Sequence, residues 1–230
     1  MMKKFDLSHY LVIGPENCVF KSFEETLSGA VRAGFTCVQI RAKNAADSEL
    51  LTMAERAAQI IAKHGKENSV TLLINDRADI AKAAREHGIK VDGVHVGQSD
   101  TPPRVCREML GKDAVIGLSA PQEKLSEYLG AADLSCADYL GLAPLHETAT
   151  KTDLKKDSRN NTIIPTLAEI DRFAKKSPLP VVVGGGVGKE DLPLLAQTAA
   201  SGYFVVSAVC AAENPFETAA ALVREWNLSR

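Results

Sequence analysis

A single-domain TIM (β/α)8 barrel over residues 1–230 is the fold this sequence predicts, on three observations. Eight short apolar runs each give way to a longer segment with helical spacing. Several of those runs are continuously apolar rather than alternating, as parallel strands covered on both faces are. No Gly-x-Gly-x-x-Gly follows the first run, which disfavours the open doubly wound sheet that the same alternation could build.

The elements follow in order. HYLVIG (9–14) is the first strand. FEETLSGAVRAG (23–34) is a helix ending at Gly34, with Leu27, Ala30 and Val31 on one face. FTCVQIR (35–41) is the second strand. The next helix runs from about Asp47, an N-cap by its chemistry, to His64; Leu50, Leu51, Ala54, Ala57, Ala58 and Ile61 recur at its period. VTLLIND (70–76) and DGVHVGQ (92–98) are strands three and four, with the helix ADIAKAAREHG between them. TPPRVCREML opens another helix, with Pro102 or Pro103 in its first turn. Strands five to eight are AVIGLSA (114–120), ADYLGLA (137–143), LPVVVGGG (179–186) and GYFVVSAV (202–209). Helices lie near 121–132, 165–176, 189–199 and 215–227. One long irregular connection remains, about 144–164, and loops of that length are often functional.

Composition narrows the function. With 27 Lys plus Arg against 29 Asp plus Glu, the formal charge is -2. That gives no footprint for nucleic acid or an anionic membrane. Five scattered cysteines with no CxxC pair argue against a disulfide framework and a zinc site. Cys37 and Cys210 sit in apolar runs and are expected to be buried. The amino-terminal apolar stretch is too short for a signal peptide or membrane span, so a cytoplasmic protein is expected. A homo-oligomer is compatible with the sequence.

In this fold the chemistry collects at the C-terminal ends of the strands. Strand two ends with Gln39, Arg41 and Lys43 at every second position, which puts them on one side; they suit an anion or a solvated edge. Strand three ends in Asn75 and Asp76, and strand four in Gln98, Ser99 and Asp100. Asp76 and Asp100 come from adjacent strand ends and suit Mg²⁺; alternatively each caps the helix that follows. Ser119 is a ligand or an N-cap. After strand seven, Gly184, Gly185 and Gly186 let the backbone approach a phosphate, and Ser207 ends strand eight. The loops after strands seven and eight are the usual phosphate site of the fold. His9 and His64 read as surface residues, His87 as a helix C-terminus and His95 as a core or layer residue. His146 alone among the histidines falls in a loop at the catalytic face. No activated nucleophile or dedicated base is found, so the work is positioning and charge stabilisation.

These landmarks, in order, resemble the thiamine-phosphate synthase family: QIRAK, NDRADIA, DGVHVGQSD, GLSA, ADYLGLAP, TATKTD, the glycine run and VVSAV. Each is weak alone; the ordered set covers nearly the whole chain. The resemblance implies a transferase of thiamine biosynthesis. It would join a hydroxymethylpyrimidine diphosphate to a hydroxyethylthiazole phosphate, with Mg²⁺ as cofactor, and release pyrophosphate. It places Gln39, Arg41, Lys43 and Asn75 around the pyrimidine diphosphate, Asp76 and Asp100 on Mg²⁺, Ser119 on substrate and Lys151 on the diphosphate. Thr148, Thr150 and the backbone at Gly185, Gly186, Val206 and Ser207 would hold the thiazole phosphate. Arg41, Lys43, Lys151 and Ser119 are the catalytic candidates. The family's carbocation route, in which the pyrimidine departs before the thiazole attacks, agrees with the missing base.

The chain departs from the family in the loop after strand six. Ala143-Pro144 stands where Gly-Pro is usual, and Glu147 where a proline precedes the first threonine. Val183-Gly184-Gly185-Gly186 replaces Gly-x-Gly-Gly. A carboxylate at Glu147 would repel phosphorylated substrates if it points inward. The alternatives are a thiazole tautomerase paralogue, which needs no diphosphate end, a non-catalytic thiazole-phosphate-binding protein, and an unrelated phosphate-binding isomerase.

Overall fold

The computed structural model describes residues 5–147, 156, 160 and 162–230. Eight parallel strands close into a barrel: β1 His9–Ile13, β2 Cys37–Ile40, β3 Thr71–Asn75, β4 Gly93–Val96, β5 Val115–Ser119, β6 Tyr139–Leu142, β7 Val181–Gly184 and β8 Gly202–Val205. Each strand pairs with the next, and β8 pairs back onto β1 at Leu11 and Val205. Around them lie α1 Phe23–Ala33, α2 Asp47–Lys63, α3 Ala78–Glu86, α4 Pro103–Leu110, α5 Leu125–Ala131, α6 Leu167–Lys176, α7 Leu192–Leu195, α8 Ser207–Cys210 and α9 Pro215–Ser229. No described helix is long and apolar enough to cross a membrane.

Strand periodicity of two divides the core in two. Leu11, Ile13, Val38, Ile40, Leu72, Ile74, Ile116 and Leu118 face outward and pack under the helices. Tyr10, Val12, Cys37, Leu73, Val115, Tyr139 and Val182 fill the barrel itself. Both layers are mostly apolar, which is why the strands read as nearly continuous runs. The N-terminal end is closed by two carboxylates that replace missing ladder bonds. Asp92 accepts from the Leu72 amide (2.8 Å) and pairs with Lys90. Asp138 accepts from the Ile116 amide (2.6 Å) and pairs with Arg107 (2.7 Å).

Several local expectations change. Asp47 is the first helical residue of α2 rather than its cap. The cap is Ala46, whose amide donates to Glu49 (2.8 Å), while Asp47 pairs with Arg77 (2.8 Å). The apolar run 202–209 is two elements. The strand stops at Val205, and Ser207 opens the short helix α8, because an apolar run alone cannot distinguish a buried strand from a buried helix. Helix five starts only at Leu125, and one turn of 3-10 helix at Lys189–Asp191 precedes α7. His9 is buried, not on the surface. It stands edge-on to Tyr203, whose hydroxyl lies 3.3 Å from Nδ1. Cys37 and Cys210 are buried thiols, as expected.

Candidate active site

A cavity of about 340 Å³ opens at the C-terminal ends of the strands. The side chains singled out in the sequence converge on it. Gln39, Arg41 and Lys43 come from the end of β2, Asn75 and Asp76 from β3, Asp100 from the loop after β4, and Ser119 from β5. Gly185, Gly186, Val206 and Ser207 form its opposite wall. Thr148, Thr150 and Lys151 lie outside the described residues.

The acidic side of the cavity is built under constraint. Asp76 holds a left-handed backbone conformation (φ 60°), which a non-glycine residue adopts at a cost of about 1–3 kcal/mol and which clusters at functional sites. Its amide donates to the His95 carbonyl (2.8 Å), and its carboxylate accepts from Asn75 Nδ2 (2.6 Å). Asp100 accepts from the Gly97 amide (2.7 Å) and so stays folded back over its own loop. Neither carboxylate caps the following helix. The caps are Arg77 and Pro102, with no side-chain bond at either. Instead the two carboxyls meet. Burial, followed by contact with Asp100, raises the Asp76 pKa from 3.8 to about 6, against an opposing pull from Lys43.

Arg41 and Lys43 supply the opposite charge. Among the described residues neither forms an ion pair with a carboxylate. Two cations beside two crowded carboxylates suit an anion and a cation together. No group of three or more His, Cys, Asp or Glu gathers among the described residues. Two carboxylates suit a hard cation that keeps several waters and reaches substrate oxygens.

The far wall is backbone. Gly185 and Gly186 both have positive φ (81° and 78°). The strand-six loop lies directly on them: the Leu145 amide donates to the carbonyls of Gly184 (2.9 Å) and Gly185 (3.0 Å), and the His146 amide to Gly185 (2.9 Å). His146 does not line the cavity. Its Nε2 lies 2.7 Å from Asp191 Oδ1 and ties this loop to the one after β7. Glu147 is exposed and also outside the lining, so its carboxylate does not face the site. Ala143 does line it; a Cβ on Gly185 would come within 3.4 Å of the Ala143 methyl.

Beneath the cavity runs a set of contacts that the sequence did not reveal. Gln39 Nε2 donates to the Tyr10 hydroxyl (2.6 Å), which lies 2.9 Å from the Tyr139 hydroxyl. Tyr139 lies 2.9 Å from His95 Nδ1, and His95 Nε2 lies 3.0 Å from Ser119 Oγ. His95 is thus an interior layer residue, as expected, that also lines the cavity. Ser119 is not an N-cap; that position in α5 belongs to Lys124. The signal that could have exposed this chain was Gly117. His95, Gly117 and Tyr139 are aligned across β4, β5 and β6, and a Cβ at Gly117 would fall 2.2 Å from Tyr139 Cζ and 2.4 Å from His95 Nδ1. Glycine inside a strand marks such close approach. Gly117→Ala should therefore destabilise by about 1–3 kcal/mol through overpacking. The thermal midpoint should fall by roughly 3–10 °C for a chain of this size. A midpoint equal to that of the parent would contradict the tight packing.

Comparison with known proteins bears on this geometry. The family model described as thiamine monophosphate synthase matches residues 9–209. A thiamine-phosphate synthase of Psychrobacter sp. (strain PRwf-1) is 36% identical over 219 residues, covering 95% of each chain. One from Ruminiclostridium cellulolyticum is 39% identical over 210 residues, covering 91% of this chain and 90% of the relative. The solved thiamine phosphate pyrophosphorylase from Pyrococcus furiosus superposes with a TM-score of 0.75 at 24% identity, over 97% of this chain and 96% of that one, a likeness of fold. The match spans the barrel from β1 into α8 and takes in every described residue of the cavity wall; the chain belongs to the thiamine monophosphate synthase family.

Proposed function

We propose that this protein is a Mg²⁺-dependent thiamine-phosphate synthase. It joins hydroxymethylpyrimidine diphosphate to hydroxyethylthiazole phosphate, yielding thiamine phosphate and pyrophosphate. The observation that carries this reading is the meeting of Asp76 and Asp100 on the same cavity as Arg41 and Lys43, which form no ion pair among the described residues. A tautomerase or a thiazole-phosphate-binding protein has no use for that diphosphate end.

The residues divide the work. Asp76 and Asp100 would hold Mg²⁺, which when bound neutralises charge on the diphosphate oxygens. Arg41 and Lys43 face the same leaving group and stabilise the charge that grows on it as the carbon–oxygen bond breaks. Gln39, Asn75 and Ser119 orient the pyrimidine. The amides around Gly185 and Gly186, with the first turn of α8 at Ser207, take the thiazole phosphate. Two small molecules held in one cavity react as if at high concentration, and the attacking thiazole nitrogen supplies its own lone pair and carries no proton, so no base is required. Lys151, Thr148 and Thr150 keep the roles the family motif gives them: diphosphate contact for the lysine, thiazole-phosphate contact for the threonines.

Incubation with both substrates and Mg²⁺ should release equal amounts of pyrophosphate and thiamine phosphate. Absence of product across a wide substrate range would overturn the reading.

Acid should compete with the cation at Asp76. Its folded pKa, about 6, lies above the ordinary 3.8. The folded state therefore binds a proton more tightly than the unfolded chain does. The resulting stability is fully present below about pH 4 and is lost as pH rises through about 6. Mg²⁺ binds the carboxylate form, so it should raise the thermal midpoint at neutral pH and little at pH 5. Asp76→Asn should remove both effects. A Mg²⁺-induced shift of equal size at both pH values would contradict the assignment.

A further inference from the structure

The five-residue chain under the cavity crosses the barrel from β2 to β5 and links two residues of the site, Gln39 and Ser119. Its inner members, Tyr10 and Tyr139, are buried and do not line the cavity. Burial pushes both phenols well above their ordinary pKa, so each keeps one proton to donate. The thiol of Cys37 also touches Tyr10, but sulfur is the weaker acceptor. A hydroxyl has one proton and two acceptor lone pairs; once the Tyr10 proton is placed on Tyr139, the better acceptor, the sense of every later bond follows. Gln39 donates to Tyr10. Tyr10 then donates to Tyr139, and Tyr139 donates to His95 Nδ1. A neutral imidazole accepting at Nδ1 carries its proton on Nε2. That proton goes to Ser119 Oγ, whose own proton is left for the cavity.

The barrel reserves space for this chain. The missing side chain at Gly117 lets Tyr139 and His95 meet, and a Cβ at Gly141 would fall 2.9 Å from the His95 ring. We propose that Tyr10, Tyr139 and His95 are positioning residues: they carry the hydrogen-bond sense set by the Gln39 amide across the barrel and hold the Ser119 hydroxyl as a donor into the substrate cavity. Their effect on turnover rests on the synthase reading; their effect on the His95 tautomer does not.

The tautomer is read by two-bond ¹H–¹⁵N correlation on substrate-free protein with ¹⁵N-labelled histidine, at a pH where the ring's own ¹⁵N shifts show it neutral. The expected proton is on His95 Nε2, with Nδ1 bare. A proton on Nδ1 in the unaltered protein overturns the proposal without any substitution. Gln39→Glu replaces the donor by a carboxylate that only accepts. Tyr10 must then donate to it, the remaining bonds reverse, and His95 moves its proton to Nδ1. An unchanged tautomer in that variant also overturns the proposal.

Kinetics give a second arm. Ser119→Ala should lower kcat roughly 100-fold, as the loss of one site donor does. Tyr139→Phe should lower it about 10-fold by misplacing that donor, with the KM for thiazole phosphate unchanged. The double variant should fall no further than Ser119→Ala alone, because Tyr139 acts through Ser119. Multiplying effects would show that Tyr139 acts separately and would sink the proposal. Inactivity of the unaltered protein would count against the synthase reading alone, since the tautomer measurement stands without turnover.

Discussion

Asp76→Asn should lower kcat/KM for pyrophosphate release by about 1000-fold, equivalent to roughly 4 kcal/mol of lost transition-state stabilisation. Asparagine is the informative replacement because it keeps the volume and tolerates the left-handed backbone that Asp76 adopts (φ 60°). It removes a charge crowded against Asp100, so the metal-free variant should be no less stable than the parent at neutral pH. Activity and stability then move in different directions. A helix cap would behave otherwise: its loss costs about 0.5–2 kcal/mol of stability and leaves the chemistry intact. The checks are pyrophosphate release across a Mg²⁺ titration and a thermal melt of the same preparation. Turnover near the parent level with the same Mg²⁺ dependence would remove Asp76 from the metal site.

Gly185→Ala should damage the opposite wall. A side chain at φ 81° is strained by about 1–2 kcal/mol. Its Cβ would also lie 2.8 Å from Pro144 Cα, a backbone atom that cannot simply rotate away. Overpacking adds about 1–3 kcal/mol. Together these predict a fall in thermal midpoint of roughly 5–15 °C. The strand-six loop must shift, and with it the Gly185–Gly186 backbone it is bonded to, which is the proposed thiazole-phosphate wall. The KM for that substrate should rise about 100-fold, while the Mg²⁺ requirement stays as it was. An unchanged KM for thiazole phosphate would separate the glycine run from that substrate.

What the sequence disclosed depends on what local chemistry can show. The strands were readable because both barrel layers are mostly apolar, and each strand end exposed its polar residues in turn. Gln39, Arg41 and Lys43 could be placed on one wall from alternation alone, and Asp76 and Asp100 could be brought together from strand adjacency. Cap or ligand could not be decided there, because an aspartate before a helix looks the same in both roles; the Arg77 and Pro102 caps decide it. His9 was misread because its neighbours, Tyr203 on β8 and Phe35 just before β2, are remote in sequence. Tyr10, Tyr139 and His95 escaped for the same reason: each is an unremarkable strand residue until the barrel closes. Ala46 displaced Asp47 as a cap because Glu49 supplies the bond from within the helix.

Closure of β8 onto β1 also sets an order of events during synthesis. The first strand leaves the ribosome long before its last partner exists. Until the chain has been made through Val205, β1 has one open flank, and each newly added strand exposes another. Nascent barrels of this kind are therefore vulnerable to pairing with other chains. Joining opposite ends of the sequence also makes the final step a slow, long-range one. The residues His9–Ile13 thus have two tasks separated in time: to wait without aggregating, and then to lock the barrel.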